Sequence, residues 1–294
     1  MNRTFLRVIS IIFIVIFSVV TFNLHSQFDQ GSIFVDYAIA PVSEDGIDFS
    51  KLSVKFSYPL KLKKGVLVNS VGVDYFQMNY DDNFEMETQD LENLYNINYN
   101  FRYVYPLVNR WVLIGQVGTY LSSNLRSSIQ SDDFIFTGGI NAIKLGGTLE
   151  NPTRLLFGLN YITVIGKPRV LPMINYVKKV SDKFSYGLGF PNTHIKYNFS
   201  EKHFLKSLFW VNGFYTNLGD PITINSNLEA EKASYRAISA GLEYNYLLNK
   251  RTSLILKGGY TIYNEYLLLD MDDNEVYNFN TASEPYFSIG LILK

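Results

Sequence analysis

The chain has 294 residues, 16% of them aromatic (chiefly 22 Tyr and 22 Phe), 26 basic against 27 acidic residues, and no cysteine. That length suffices for one sizeable domain, and the missing cysteines exclude a disulfide framework, a thiolate metal site and a lipidated cysteine anchor. A formal net charge of −1 leaves no electrostatic footprint for nucleic acid.

The chain begins with a positive segment, Asn2-Arg3 and Arg7, followed by the apolar run "VISIIFIVIFSVV" at 8–20. A polar stretch then places Ser26 before a cleavage point and Gln27 after it. This order reads as a secretory signal peptide over 1–26, with an exported domain over 27–294. A retained membrane anchor is the competing reading, since the apolar run approaches the length of a short spanning helix.

Past residue 27 the period is two. The alternation predicts strands over 31–40, 49–60, 65–78, 94–106, 109–121, 134–146, 154–165, 170–178, 184–190, 194–199, 205–217, 233–247, 252–264 and 285–294. Several reach twelve residues or more, whereas a soluble strand usually has about five or six and a tilted strand crossing a bilayer needs about 9–11. The stretch "LYNINYNFRYVYPL" at 94–107 has the cleanest pattern: Tyr95, Ile97, Tyr99, Phe101, Tyr103 and Tyr105 on one parity, Asn96, Asn98, Asn100 and Arg102 on the other.

The connections alternate in character. "KLKKG" (61–65), "VNR" (108–110), "SDK" (181–183), "SEK" (200–202) and "NKR" (249–251) are short and basic. Segments near 41–48, 79–93, 122–133, 218–232 and 266–284 are long and hold 19 of the 27 acidic residues. Short turns at one end and long loops at the other are the asymmetry of an outer-membrane barrel. The fold class expected is therefore all-β: an antiparallel up-and-down transmembrane β-barrel of 14 strands by turn parity. Residues 184–199 would make two short passages, so twelve full strands plus a short hairpin is the alternative.

A soluble sandwich alternates as well. Strand length, loop asymmetry, the export signal and a last strand running to residue 294 favour the barrel. Hydrocarbon leaves no partner for a free backbone N–H or C=O, so a β protein spans a membrane only as a closed barrel. Its outer face must then be apolar, and its inner face can be wet.

"LYNINYNFRYVYPL", "LPMINYVKK" (171–179), "FSYGLGFPNTHIKYNFSEK" (184–202) and "PYFSIGLILK" (285–294) together resemble an uncharacterised family of Gram-negative outer-membrane β-barrels that carry a domain of unknown function. The resemblance spans essentially the whole mature chain and rests on architectural motifs. It implies fold and location, and it brings no site residues. The chain departs from such barrels at its end, where Leu293-Lys294 stands in place of the usual aromatic residue.

Function is expected in the lumen. By parity the inward set comprises Lys55, Asp74, Asn96, Asn98, Asn100, Arg102, Lys144, Asn160, Glu243 and Lys257. Twelve to fourteen strands lie between the filled eight-stranded barrel and the open channel of 16–18 strands. A mixed-charge constriction passing or binding small solutes, or apolar molecules, is one reading; an internal salt-bridge network that plugs the lumen, in a structural barrel acting through its acidic loops, is the other. Residues 270–275, "DMDDNE", lack the full calcium-loop spacing, so they read as a solvated acidic turn, and so do the carboxylates between 81 and 92. His25 falls in the leader, while His194 and His203 have no serine marked out by spacing, which makes a lipid-modifying enzyme the least favoured function. The chain is expected to be no enzyme and to need no cofactor. Its expected partners are outer-membrane lipids, the barrel-assembly machinery and a small solute.

Overall fold

A computed structural model describes residues 31–40, 46–81, 84, 86–225 and 228–294. The expected leader, together with Glu44, Asp45, Asp82 and Glu85 of the acidic segments, lies outside the described residues. Fifteen strands follow in order: β1 (Ser32–Ala40), β2 (Ile47–Leu62), β3 (Gly65–Tyr80), β4 (Asn93–Pro106), β5 (Trp111–Ser123), β6 (Phe134–Gly147), β7 (Pro152–Ile162), β8 (Arg169–Lys179), β9 (Phe184–Phe190), β10 (Asn192–Asn198), β11 (His203–Asn225), β12 (Leu228–Leu247), β13 (Thr252–Leu269), β14 (Glu275–Asn278) and β15 (Pro285–Leu293).

From β1 to β13 each strand is antiparallel to the next, β15 is antiparallel to β13, and β1 pairs with β15 from Ile33↔Leu293 to Ile39↔Phe287. That pairing closes the sheet. The wall is a closed up-and-down barrel of fourteen strands, with β14 an extra ribbon hydrogen-bonded to the far end of β13. The alternative of twelve strands plus a hairpin does not hold, because β9 and β10 are both wall strands, paired on either side with β8 and β11.

Alternation decides which side chain faces where. In β4, Ile97, Tyr99 and Phe101 are exposed on the outside, while Asn96 is buried on the inside. The same parity leaves Val71, Val117, Phe136, Ile140, Ile174, Phe209, Leu256 and Ile289 exposed around the girth. Such a continuous apolar band is intolerable in water and is what a hydrocarbon layer requires of a barrel.

The wall is uneven in height. β9 and β10 have seven residues each, whereas β11, β12 and β13 have 23, 20 and 18. The segment 218–232, expected as a loop, is mostly a continuation of β11 and β12. β10 accompanies β11 only to Trp210, and β6 accompanies β5 only to Leu121, so both strands carry free edges above that level. β11 turns inward across the gap, six strand positions along the wall, and meets β5. Asn217 bridges Ser123 in parallel, the Asn124 N–H donates to the Asn217 carbonyl at 3.3 Å, Ser122 Oγ donates to the Tyr215 carbonyl at 2.8 Å, and Asn217 Nδ2 donates to Asp133 Oδ1 at 2.9 Å.

Below this crossing lies the main apolar core. Ile47, Phe76, Met78, Leu94, Phe214, Leu218, Tyr266 and Leu268 are buried together, drawn from β2, β3, β4, β11 and β13. The opposite face of the crossing is buried too: Tyr215, Leu267 and Leu269 pack against Ile135. Each large side chain so buried is worth about 1.5–3 kcal/mol. The inward fold of β11 is therefore fixed by packing on both faces.

Candidate functional site: the barrel lumen

Inside the wall, polar residues lie down rather than stand up. In six cross-strand pairs of the inner face a polar side chain lies against the glycine directly opposite it: Gly72↔Asn98, Gly118↔Asn100, Gly139↔Asn160, Gly158↔Asn141, Gly187↔His194 and Gly290↔Asp36. In every pair a Cβ on the glycine would meet the partner side chain, at 1.8 Å for Gly139 and Asn160 Oδ1 and at 2.4 Å for Gly187 and His194 Cε1. The glycine is needed because the amide, imidazole or carboxylate occupies the space of its missing side chain. Only the register between strands shows that each of these glycines receives a polar neighbour.

The amides form a belt. Asn141 and Asn160 exchange hydrogen bonds at 2.9 and 3.0 Å, Gln116 Nε2 donates to Asn160 Oδ1 at 3.0 Å, and Arg102 Nε donates to Gln116 Oε1 at 3.3 Å. Asn100 Nδ2 donates to Asn98 Oδ1 at 3.0 Å. Two ionic groups stand beside it. Asp74 accepts from Ser53 Oγ at 2.6 Å and pairs with Lys51 at 3.3 Å. Glu243 accepts from Lys206 at 2.7 Å and from Asn245 Nδ2 at 2.8 Å, with Lys257 at 3.7 Å.

Among the described mid-strand residues of inward parity, Asp36, Asp74 and Glu243 face Lys51, Lys55, Arg102, Arg154, Lys196, Lys206 and Lys257. Seven cations against three carboxylates leave four positive charges in excess, although the whole chain carries −1. Lys55, Arg102 and Arg154 point inward and are nevertheless exposed, so the short-turn half of the lumen is open to water.

Nine of the ten residues expected in the lumen share the inward parity: Lys55, Asp74, Asn96, Asn98, Asn100, Arg102, Asn160, Glu243 and Lys257. Lys144 does not. It pairs with Trp111 on the outer face, lies 5.0 Å from that indole ring and donates to the Asn109 carbonyl at 2.7 Å. A long cationic side chain one turn from the rim can reach polar groups there while its stem covers apolar surface, so outward parity costs it little.

The long-loop mouth is shut. Phe76 on β3 and Phe214 on β11 stand six strand positions apart around a fourteen-strand ring, and their ring centroids are 4.8 Å apart. Phe49, Tyr235 and Tyr266 complete the closure, with Phe49–Tyr235 at 5.9 Å and Phe214–Tyr235 at 5.6 Å, and Tyr80 and Tyr266 share a hydroxyl hydrogen bond of 2.8 Å. Opposite walls touch here.

The acidic turn at 270–275 is tied into the crossing. Asp273 accepts from Lys232 at 3.0 Å and from the Tyr215 hydroxyl, while its carbonyl takes Lys167 at 2.5 Å. Asn274 donates to both Asp270 carboxylate oxygens from its side chain and its backbone, which holds that carboxyl below the ordinary range. Farther along the rim, Asp90 pairs with Arg126 at 3.3 Å. Among the described residues no three His, Asp or Glu side chains converge as a metal site would need. His203 stacks on Tyr246 at 4.6 Å and shares a hydrogen bond with the Tyr244 hydroxyl near the short-turn rim.

A family model described as a domain of unknown function, DUF6268, matches residues 46–294. Among curated proteins, none matches the chain. Solved structures similar in outline include a KdgM porin in complex with disordered oligogalacturonate (9% identity, 90% of this chain and 98% of that one, TM-score 0.38), LpxR from Salmonella typhimurium (6%, 89% and 99%, 0.42) and outer membrane phospholipase A from Escherichia coli (10%, 90% and 92%, 0.33).

Proposed function

Because the chain belongs to the DUF6268 family of unknown function, we propose a role argued from its lumen: an outer-membrane barrel of a Gram-negative bacterium that takes up small anionic solutes from the short-turn, periplasmic side. The apolar girth supports the membrane, since only a closed barrel satisfies its backbone in hydrocarbon. Placing the short turns on the periplasmic side follows the usual asymmetry of such barrels. The excess of four positive charges in a wet vestibule, lined by low-dielectric walls that focus the field, carries the choice of anions. With Phe76 against Phe214 at the far mouth, the barrel at rest is a binding vestibule rather than a steady channel. Catalysis has no role in this reading: His194 lies flat on Gly187.

The test is equilibrium binding of an anionic dye and a cationic dye of equal size to the purified barrel in neutral detergent. The anionic dye should bind at low salt and be released at high salt. Equal binding of the two dyes, or a preference for the cation, would refute the reading. The closed mouth also favours a second role, a surface barrel acting through its rim loops; that role predicts that neither dye binds.

A further inference from the structure

One stretch of the inner wall has positive charges facing each other. Lys196 on β10 and Lys206 on β11 are direct register partners on the inner face, where opposed side chains start with Cβ atoms about 4.5–5.5 Å apart and like charges repel. Both ammonium groups lie over the ring of Phe204, at 3.9 Å for Lys196 and 5.4 Å for Lys206. The ring draws the two cations to one place.

The wall supplies a counter-charge for only part of this. Glu243 takes Lys206 at 2.7 Å and is shared with Lys257 at 3.7 Å. Lys196 has no carboxylate partner among the described residues. Two lysines thus share one carboxylate, and Lys196 beside them has none. His194 continues the same face two residues along, with its ring seated on Gly187.

We propose that Lys196 and Lys206 form an anion-binding subsite of the lumen, which takes the carboxylate or phosphate group of a small solute. This rests on the anion-binding role proposed above and locates it. An entering carboxylate or phosphate would bridge the two ammonium groups and turn their repulsion into attraction, while the Phe204 face holds the cations in place.

The experiment uses the full chain in neutral detergent, titrated calorimetrically with inorganic phosphate and, separately, with citrate. The variants are Lys196→Gln, Lys196→Arg and Arg102→Gln, each first checked for the folded gel mobility of the parent barrel. Wild type should bind at low salt, Lys196→Gln should bind about fivefold more weakly or worse, and Lys196→Arg should restore most of the affinity. Phosphate should also raise the denaturation midpoint of wild type by more than that of Lys196→Gln. Binding of both anions marks recognition of charge alone, and binding of one assigns the group; either outcome supports the subsite if it depends on Lys196. Undiminished binding in Lys196→Gln together with loss in Arg102→Gln overturns the subsite while the anion-binding lumen stands. Absence of binding in wild type overturns both.

Discussion

Replacing Phe214 by alanine tests the closure of the long-loop mouth. The ring is 2% exposed and lies 4.8 Å from Phe76, 5.6 Å from Tyr235 and 6.0 Å from Tyr266. Truncating a buried phenylalanine costs about 3–5 kcal/mol, the lost transfer energy plus the cavity left behind. Three aromatic pairs, each worth about 0.5–1.5 kcal/mol beyond area, place this case in the upper half of that range. Phe214→Leu keeps most of the volume and should cost less than about 1.5 kcal/mol. The assay is guanidinium unfolding in detergent, followed by the fluorescence of Trp210, which shares the inner face of β11; a Trp111→Phe background removes the chain's other indole. Gel mobility reports the whole barrel in parallel. The Trp210 transition should move to lower denaturant by the stated amount while the folded mobility survives in mild detergent. A loss below about 1 kcal/mol would mean a ring standing in open water, touched on one side only, and the closed mouth would have to be given up.

Removing both Phe76 and Phe214 side chains should convert a silent protein into one with discrete conductance in planar bilayers; persistent silence would place another barrier in the lumen. Ile140→Arg, in the middle of the apolar girth, should cost about 2–4 kcal/mol when folding is measured into vesicles, whereas a barrel living in water would hardly notice it. Gly139→Ala sets a methyl where Asn160 Oδ1 lies, expels an amide from its reciprocal pair with Asn141 and should lower stability by about 1–3 kcal/mol. Unchanged denaturation would show that the amide has another place to go. Lys144→Gln should leave dye binding untouched while Arg102→Gln weakens it, because only the second is on the inner face; equal effects would contradict the register of β6.

Much of this architecture was readable from alternation. Asn96, Asn98, Asn100 and Arg102 against Tyr99 and Phe101 fix the two faces of β4 because one meets amides and the other an apolar belt. Short basic turns against long acidic segments fix the strand count. Alternation fails where both faces are buried. The upper parts of β11 and β13 pack one face on Phe76 and the other on Ile135, so period two disappears, and Gly219, Asp220 and Pro221 inside β11 look like a loop. Lys144 failed for a different reason, since polarity within reach of the rim no longer distinguishes inside from outside. Neither the pairing of each inner glycine with a polar neighbour nor the facing of Lys196 and Lys206 could be seen in the chain, because both depend on a register between strands.

The seven-residue strands β9 and β10 carry a cost that falls on the surroundings rather than on the protein. At about 3.3 Å per residue and a tilt near 40°, such a strand covers roughly 18 Å along the bilayer normal, against an apolar band about 25 Å tall elsewhere on barrels of this kind. Acyl chains beside this hairpin must therefore shorten by several ångströms, at a fraction of a kcal/mol for each one. One flank of the molecule would sit in a dimple of compressed hydrocarbon.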